Sequence, residues 1–157
     1  MTDRQASEPF HILLVEDNPG DVRLAREAFE EGDVASVLHV ARDGEAGLDF
    51  LYQRGEYEDA PRPALVLLDL HLPGVDGLEL LERVNEDADL KRIPTIVLTS
   101  SDADDDVVRS YERHANAYLT KPFGPDDFAA LVRTFEAFWF TRVRLPPERS
   151  EAASGRD

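Results

Sequence analysis

Several short apolar runs of the chain are followed directly by residues that could bind a metal ion or take part in phosphoryl transfer. Glu16 and Asp17 follow the first run, Asp69 ends another, Thr99 ends a third, and Lys121 follows the last. Taken alone, Asp69 is equally well explained as a strand cap or turn residue, because Asp is common there. The five residues together form a set that chance would seldom supply.

Acidic groups that converge on one site need a cation or a proton to coexist. Two carboxylates about 4 Å apart repel by roughly 4 kcal/mol at an effective dielectric constant near 20. A hard divalent ion with oxygen ligands relieves this repulsion, and Mg²⁺ fits best. One carboxylate could then attack phosphorus to form an aspartyl phosphate, while a lysine and a hydroxyl stabilise the phosphoryl oxygens.

The run that ends at Asp69 is predicted to be a buried strand. It is short and apolar, and Pro63 and Pro73-Gly74 bound it, which is typical of a strand covered on both faces in a parallel sheet. Helical periods of apolar residues alternate with the predicted strands along the chain. The predicted strands are 10–15, 34–40, 65–69, 94–99 and 117–120, and the predicted helices are 21–31, 44–51 closed by Gly55, 76–85, 103–114 and 125–139.

Five strands that alternate with five helices predict a flavodoxin-like (βα)5 fold. This is an α/β architecture with a doubly wound, five-stranded parallel sheet in three layers. In such a sheet the carboxyl ends of the strands lie along one edge, so residues distant in sequence meet in one crevice. We expect residues 1–8 to be a flexible N-terminus, 9–145 to be one domain and 146–157 to be a disordered tail.

Composition restricts the classes of partner. The 157 residues carry a net charge of -16, which argues against nucleic acid, since phosphate backbones are bound by Lys and Arg. There is no membrane-length apolar run and no signal-peptide pattern, so a cytoplasmic location is expected. Without cysteine, disulfides and thiolate metal sites are excluded. The acidic surface, with only Lys91 and Lys121 as lysines, is similar to that of halophilic proteins.

Four motifs taken together resemble the response-regulator receiver domain of two-component signalling. The segments are Glu16-Asp17, 69–77, 98–100 and 118–123, and the resemblance covers about residues 9–140 within the predicted receiver domain 9–145. The resemblance implies that Asp69 is the phosphoacceptor and that Mg²⁺ is the cofactor. It further implies that Glu16, Asp17, Asp69 and the backbone carbonyl of His71 hold the ion.

The same resemblance assigns roles to three residues on later strands. Thr99 corresponds to the switch hydroxyl, Tyr118 to the switch aromatic and Lys121 to the phosphate-binding lysine. For Tyr118, an ordinary core aromatic is the alternative. Segments 14–21, 52–63 and 117–122, with Phe138-Trp139, are similar to stand-alone receivers that partner phytochrome-type histidine kinases.

The predicted function is therefore a single-domain response regulator. It would accept a phosphoryl group from a sensor histidine kinase or phosphotransfer protein and signal to a downstream protein. We also expect a homodimer through helix 103–114, the fifth strand and the last helix, because exposed aromatic residues mark interfaces. The predicted interface residues are Tyr111, Phe138 and Phe140.

Two other functions are consistent with parts of the pattern. A phosphohydrolase that turns over through an aspartyl phosphate would need a second carboxylate two residues past the nucleophile, where this chain has His71. A scaffold with an intact but unused site is the second alternative. The four histidines, His11, His39, His71 and His114, share no motif, so no histidine catalysis or zinc site is predicted.

Overall fold

The computed structural model describes residues 9–99, 117–120 and 124–137. Its strands form one parallel sheet in the order β2-β1-β3-β4-β5. The strands are β1 (Phe10–Val15), β2 (Ser36–Ala41), β3 (Leu65–Leu68), β4 (Thr95–Thr99) and β5 (Ala117–Thr120). The order reverses beside β1, as in a doubly wound sheet, so the predicted flavodoxin-like class is confirmed.

Helices cover both faces of the sheet. Successive side chains of a strand point to opposite faces, so each strand contributes apolar side chains to a core on either side. Leu13 and Val15 of β1 belong to one core cluster, whereas Ile12 and Leu14 belong to a second. The first cluster includes residues of α2 (Gly44–Tyr52) and α3 (Gly77–Glu86), and the second includes residues of α1 (Pro19–Glu30) and α4 (Pro125–Ala137). The three predicted layers are therefore present.

Several predicted boundaries were wrong by a few residues. Helix α1 starts at Pro19 rather than at residue 21, because Asn18 caps it by accepting N–H groups from Gly20 and Asp21. Strand β2 starts at Ser36 rather than at residue 34. Helix α3 starts at Gly77, since Asp76 lies outside it and accepts the N–H of Glu79.

Helix α2 ends at a different residue from the one predicted. Gln53, not Gly55, terminates the helix, with a left-handed φ of 57° that is uncommon for a residue with a Cβ. Gly55 instead begins a short 3₁₀ turn, Gly55–Tyr57, and a second such turn spans Leu90–Arg92. The predicted helix 103–114 lies outside the described residues.

Candidate functional site

Three carboxylates meet at the carboxyl edge of the sheet. One carboxylate oxygen from each of Glu16, Asp17 and Asp69 lies within 4.8 Å of the others. Glu16 and Asp69 are buried, with 2% and 7% of their surfaces exposed, whereas Asp17 is exposed. The strand ends thus bring together the three acidic residues that the sequence placed in one crevice.

Backbone hydrogen bonds hold these residues at the strand ends. The N–H of Asp69 donates to the carbonyl of Val15 at 3.0 Å, one step beyond the β1–β3 pairing of Val15 with Leu68. On the other side of β1, the N–H of Glu16 donates to the carbonyl of Ala41 at 2.9 Å. Because the sheet ladder extends past the strands, the separation of the carboxylates is fixed by the sheet.

Local N–H groups also orient two of the carboxylates. Oδ1 of Asp69 accepts the N–H of His71 at 3.0 Å, and Oε2 of Glu16 accepts the N–H of Asn18 at 3.2 Å. Each hydrogen bond restricts the orientation of the carboxylate that accepts it, as a metal ligand or a nucleophile requires. The backbone of His71 therefore already contacts Asp69, while its carbonyl remains a predicted ligand.

Gly77 allows the loop after β3 to close tightly over Asp69. Its N–H donates to the carbonyl of Leu70 at 2.9 Å. A Cβ at this position would lie 2.5 Å from the carbonyl oxygen of Asp69 and 2.6 Å from Cα of Leu70. Only glycine fits without a backbone shift, so Gly77 positions the loop that carries the phosphoacceptor candidate.

A groove of about 540 Å³ opens beside the acidic cluster. It gives a second molecule a path to the strand ends, since Asp17 lies in its wall. Apolar and polar surface both contribute to the lining, which is formed by Asp17, Leu70, His71, Leu72, Pro73, Asp76 and Leu78.

The backbone places two further predicted site residues. Thr99 ends β4 and pairs with Thr120 of β5. Two residues earlier on β4, Val97 pairs with Tyr118. Val97 also pairs with Leu68 of β3, so the end of β4 runs alongside the end of β3. Lys121 and the predicted interface residues Tyr111, Phe138 and Phe140 lie outside the described residues.

Sequence reasoning missed one buried carboxylate. Glu136 on α4 is 7% exposed and accepts the N–H groups of Asp33 and Val34 at 3.2 and 3.3 Å. It connects α4 to the loop between α1 and β2, away from the acidic cluster. No local motif marks it, because its partners lie 103 and 102 residues earlier in the chain.

The acidic cluster fits a hard divalent ion. Its donors are carboxylate oxygens, the ligands that Mg²⁺ and Mn²⁺ prefer. Two of the three carboxylates are buried close together, so a cation offsets their mutual repulsion. Both the donor chemistry and the charge agree with the predicted Mg²⁺.

The acidic cluster lies where doubly wound α/β sheets bind their ligands, and carboxylates that can hold a divalent ion there are suited to chemistry on phosphoryl groups. Residues 12–133 match the model of the response regulator receiver domain, and the chain belongs to this family. It is therefore a phosphoacceptor signalling domain that binds a divalent metal ion.

Relatives extend this result over most of the chain. Response regulator Rcp1 of Synechocystis sp. is 47% identical over 142 residues, covering 90% of this chain and 97% of Rcp1. The Mn²⁺-bound crystal structure of Rcp1 has a TM-score of 0.81 at 48% identity, covering 88% of this chain and all of that one. The phosphorylated cyanobacterial phytochrome response regulator RcpA has a TM-score of 0.82 at 42% identity, covering 88% and 99%.

The membrane question has a simple structural answer for the described residues. None of the helices α1 to α4 is long and apolar enough to cross a bilayer.

Proposed function

We propose that Asp69 accepts a phosphoryl group from the phosphohistidine of a phytochrome-type sensor histidine kinase, and that the phosphorylated protein signals through protein contacts. The observation that carries this proposal is the meeting of Glu16, Asp17 and Asp69 within 4.8 Å at the end of β1 and β3. A buried carboxylate beside two further acidic groups is suited to nucleophilic attack on phosphorus once their charge is balanced.

The transfer exchanges one bond to phosphorus for another. A carboxylate oxygen of Asp69 attacks phosphorus and forms an acyl phosphate, while the P–N bond breaks. The electron pair of the P–N bond returns to the donor imidazole. This imidazole leaves as a neutral group because its other ring nitrogen carries a proton. Glu16, Asp17, Asp69 and the carbonyl of His71 would hold the Mg²⁺ ion, which would supply positive charge to the phosphoryl oxygens.

The residues around Asp69 orient the nucleophile and admit the donor. The N–H of His71 fixes the plane of the Asp69 carboxylate, and the groove lined by Asp17 and Leu78 leaves room for the donor. In the proposal, Lys121 and the hydroxyl of Thr99 bind phosphoryl oxygens. Thr99 and Tyr118 then change position and remodel the surface beside β5.

Phosphorylation by a small donor tests the proposal. The full chain is incubated with acetyl phosphate and Mg²⁺, and incorporated phosphoryl groups are counted by intact-protein mass spectrometry. Wild type should gain one group and Asp69→Asn none. Asp59→Asn is the matched control and should be labelled like wild type, because it makes the same change at an exposed position in the loop before β3. Equal labelling of Asp69→Asn and wild type would contradict the proposal.

The kinase class is supported by the names of similar proteins. RcpA is described as a phytochrome response regulator, and a bacteriophytochrome response regulator, AtBRR, is 44% identical with a TM-score of 0.70. We expect an autophosphorylated phytochrome-type kinase to transfer its phosphoryl group to Asp69 faster than an unrelated histidine kinase does. Equal rates from both kinases would remove this part of the proposal.

The proposed output is an assembly of proteins and not the turnover of a small substrate. The homodimer through Tyr111, Phe138 and Phe140 belongs to this proposal. Sedimentation at micromolar concentration should show a dimer with a phosphoryl mimic bound, and a monomer under all conditions would exclude it. Steady release of phosphate from an ester, far above one equivalent, would favour an enzyme instead.

A further inference from the structure

Two histidines that share no sequence motif lie side by side on the sheet. Nδ1 of His11 and Nε2 of His39 are 3.0 Å apart, and the ring centroids are 5.2 Å apart. His11 is on β1 and His39 is on the neighbouring strand β2, where it pairs with Leu13. Both are partly exposed, so small solutes can reach them.

The positions of these two rings are set by rigid surroundings. The strands that carry them are joined along six consecutive residue pairs, from Phe10 with Ser36 to Val15 with Ala41. The ring of His39 packs against Phe50 with centroids 5.0 Å apart, and Phe50 packs against Tyr57 at 5.5 Å. The pair is therefore organised before any ligand arrives, which reduces the entropy cost of binding.

The separation of the two nitrogens suits a shared metal ion. Imidazole nitrogens bind zinc-type ions at about 2.0–2.1 Å, so two neighbouring ligands are roughly 2.9 Å apart at a right angle and about 3.4 Å apart in a tetrahedron. The distance of 3.0 Å between the histidine nitrogens lies within this span. The two nitrogens form a hydrogen bond in this structure, and a bound ion would take the place of the proton between them.

We propose that His11 and His39 form a second metal site for a borderline-soft divalent ion such as Cu²⁺, Ni²⁺ or Zn²⁺. Nδ1 of His11 and Nε2 of His39 are its protein ligands, and water completes the coordination. Imidazole is a preferred ligand of these ions, whereas Mg²⁺ prefers carboxylate oxygen.

The surroundings of His39 disfavour its protonated form. Burial, and secondarily the neighbouring His11, lower the pKa of His39 below its ordinary value. The neutral form of His39, which has a lone pair to donate, is therefore favoured. This direction is consistent with metal binding at the distance of 3.0 Å between the two nitrogens.

The histidine site and the acidic cluster are separate. His11 lies five residues before Glu16 on β1, and His39 pairs with Leu13, three residues before Glu16, so the nearer histidine is roughly 10 Å from Glu16 along the strands. One chain can therefore hold Mg²⁺ and a softer ion together. An ion bound by both histidines would cross-link the edge strand β2 to β1 and stabilise the folded state.

Copper EPR identifies the ligands directly. One equivalent of Cu²⁺ is added to the full chain in excess Mg²⁺, which occupies the acidic cluster. Wild type should show nitrogen hyperfine structure from two imidazoles, and His11→Gln and His39→Gln should each lose it. His114→Gln, which removes a histidine that this proposal does not use, should retain it. An oxygen-only spectrum, or a two-nitrogen spectrum that persists in His39→Gln, would overturn the proposal.

Nickel-dependent stability gives an independent measurement. With Mg²⁺ in excess, Ni²⁺ should raise the Tm of wild type saturably at one equivalent, and either His→Gln variant should need at least ten-fold more Ni²⁺. An equal shift in wild type and variants would show that Ni²⁺ binds elsewhere. Labelling of Asp69 is measured in parallel, so failure of the histidine site is distinguishable from failure of the proposed phosphoacceptor.

Discussion

Asp17 differs from the other two members of the acidic cluster because it is exposed while Glu16 and Asp69 are buried. Its position beside two buried carboxylates adds repulsion that water screens only in part. We therefore expect Asp17 to destabilise the fold in the absence of a cation, and we propose that it binds the cation when one is present.

Replacement of Asp17 by Asn separates these two effects. Without Mg²⁺ the variant should have a higher Tm than wild type, because one like charge is gone. Its Mg²⁺ affinity should fall by roughly ten-fold or more, as for other changes around metal ligands. Thermal unfolding across a Mg²⁺ titration measures both effects.

Asp59→Asn is the control, since it makes the same change in charge at an exposed position in the loop before β3. Its Tm and Mg²⁺ response should match those of wild type. If Mg²⁺ raises the Tm of Asp17→Asn as much as that of wild type at the same concentrations, Asp17 is not a ligand of the metal ion.

The acidic residues were predictable from sequence because strand ends are local features and parallel strands align them at one edge. The pair His11 and His39 was not, because its residues are 28 positions apart and only the β1–β2 register joins them. Glu136 was missed for the same reason. Side-chain partners on different elements depend on tertiary packing, which no local motif encodes.

Among the helices, α4 is tied to a distant loop by a single side chain. The buried carboxylate of Glu136 accepts the N–H groups of Asp33 and Val34, and it fills the space that a Cβ on Gly32 would need. The loop between α1 and β2 is thereby fixed against α4, which packs on the same face of the sheet as α1.

Glu136→Ala should lower the free energy of unfolding by about 1–3 kcal/mol, because two partly buried N–H groups lose their acceptor. Chemical denaturation of the full chain measures the change. Glu30→Ala on α1 is the control and should change stability much less, since Glu30 is exposed. Equal effects of the two substitutions would mean that the hydrogen bonds of Glu136 do not stabilise the fold.

The order and type of the described elements followed from apolar patterns, but their ends did not. Gln53 ends α2 in a left-handed conformation and donates from its side-chain amide to the carbonyl of Ala60 at 2.6 Å. This loop contact offsets the backbone strain at Gln53. Sequence reasoning placed the end at Gly55, because glycine is the usual residue for that conformation.

The net charge of -16 on 157 residues acts on the molecule as a whole. Repulsion among exposed carboxylates favours expanded states, and salt weakens it. The screening length falls from about 10 Å at 0.1 M salt to about 3 Å at 1 M. We therefore expect the net charge, and not any single contact, to make stability depend on salt.

We expect the free energy of unfolding to increase as KCl rises from 0.1 M to 1 M, as proposed for a halophilic protein. Denaturation by urea, which adds no ions, measures it at each salt concentration. Sucrose at matched osmolality should not reproduce the full increase, because it does not screen charge. A stability that is independent of KCl would contradict the role given to the net charge.

The central claim is that the strand ends make Asp69 the phosphoacceptor, and mapping the phosphoryl group tests it most directly. The phosphorylated wild-type chain is reduced with borohydride, which converts an aspartyl phosphate to homoserine, and is then digested and sequenced by mass spectrometry. We predict homoserine at position 69 and at no other carboxylate. Homoserine at Asp17 or Asp76, with Asp69 unchanged, would contradict the claim.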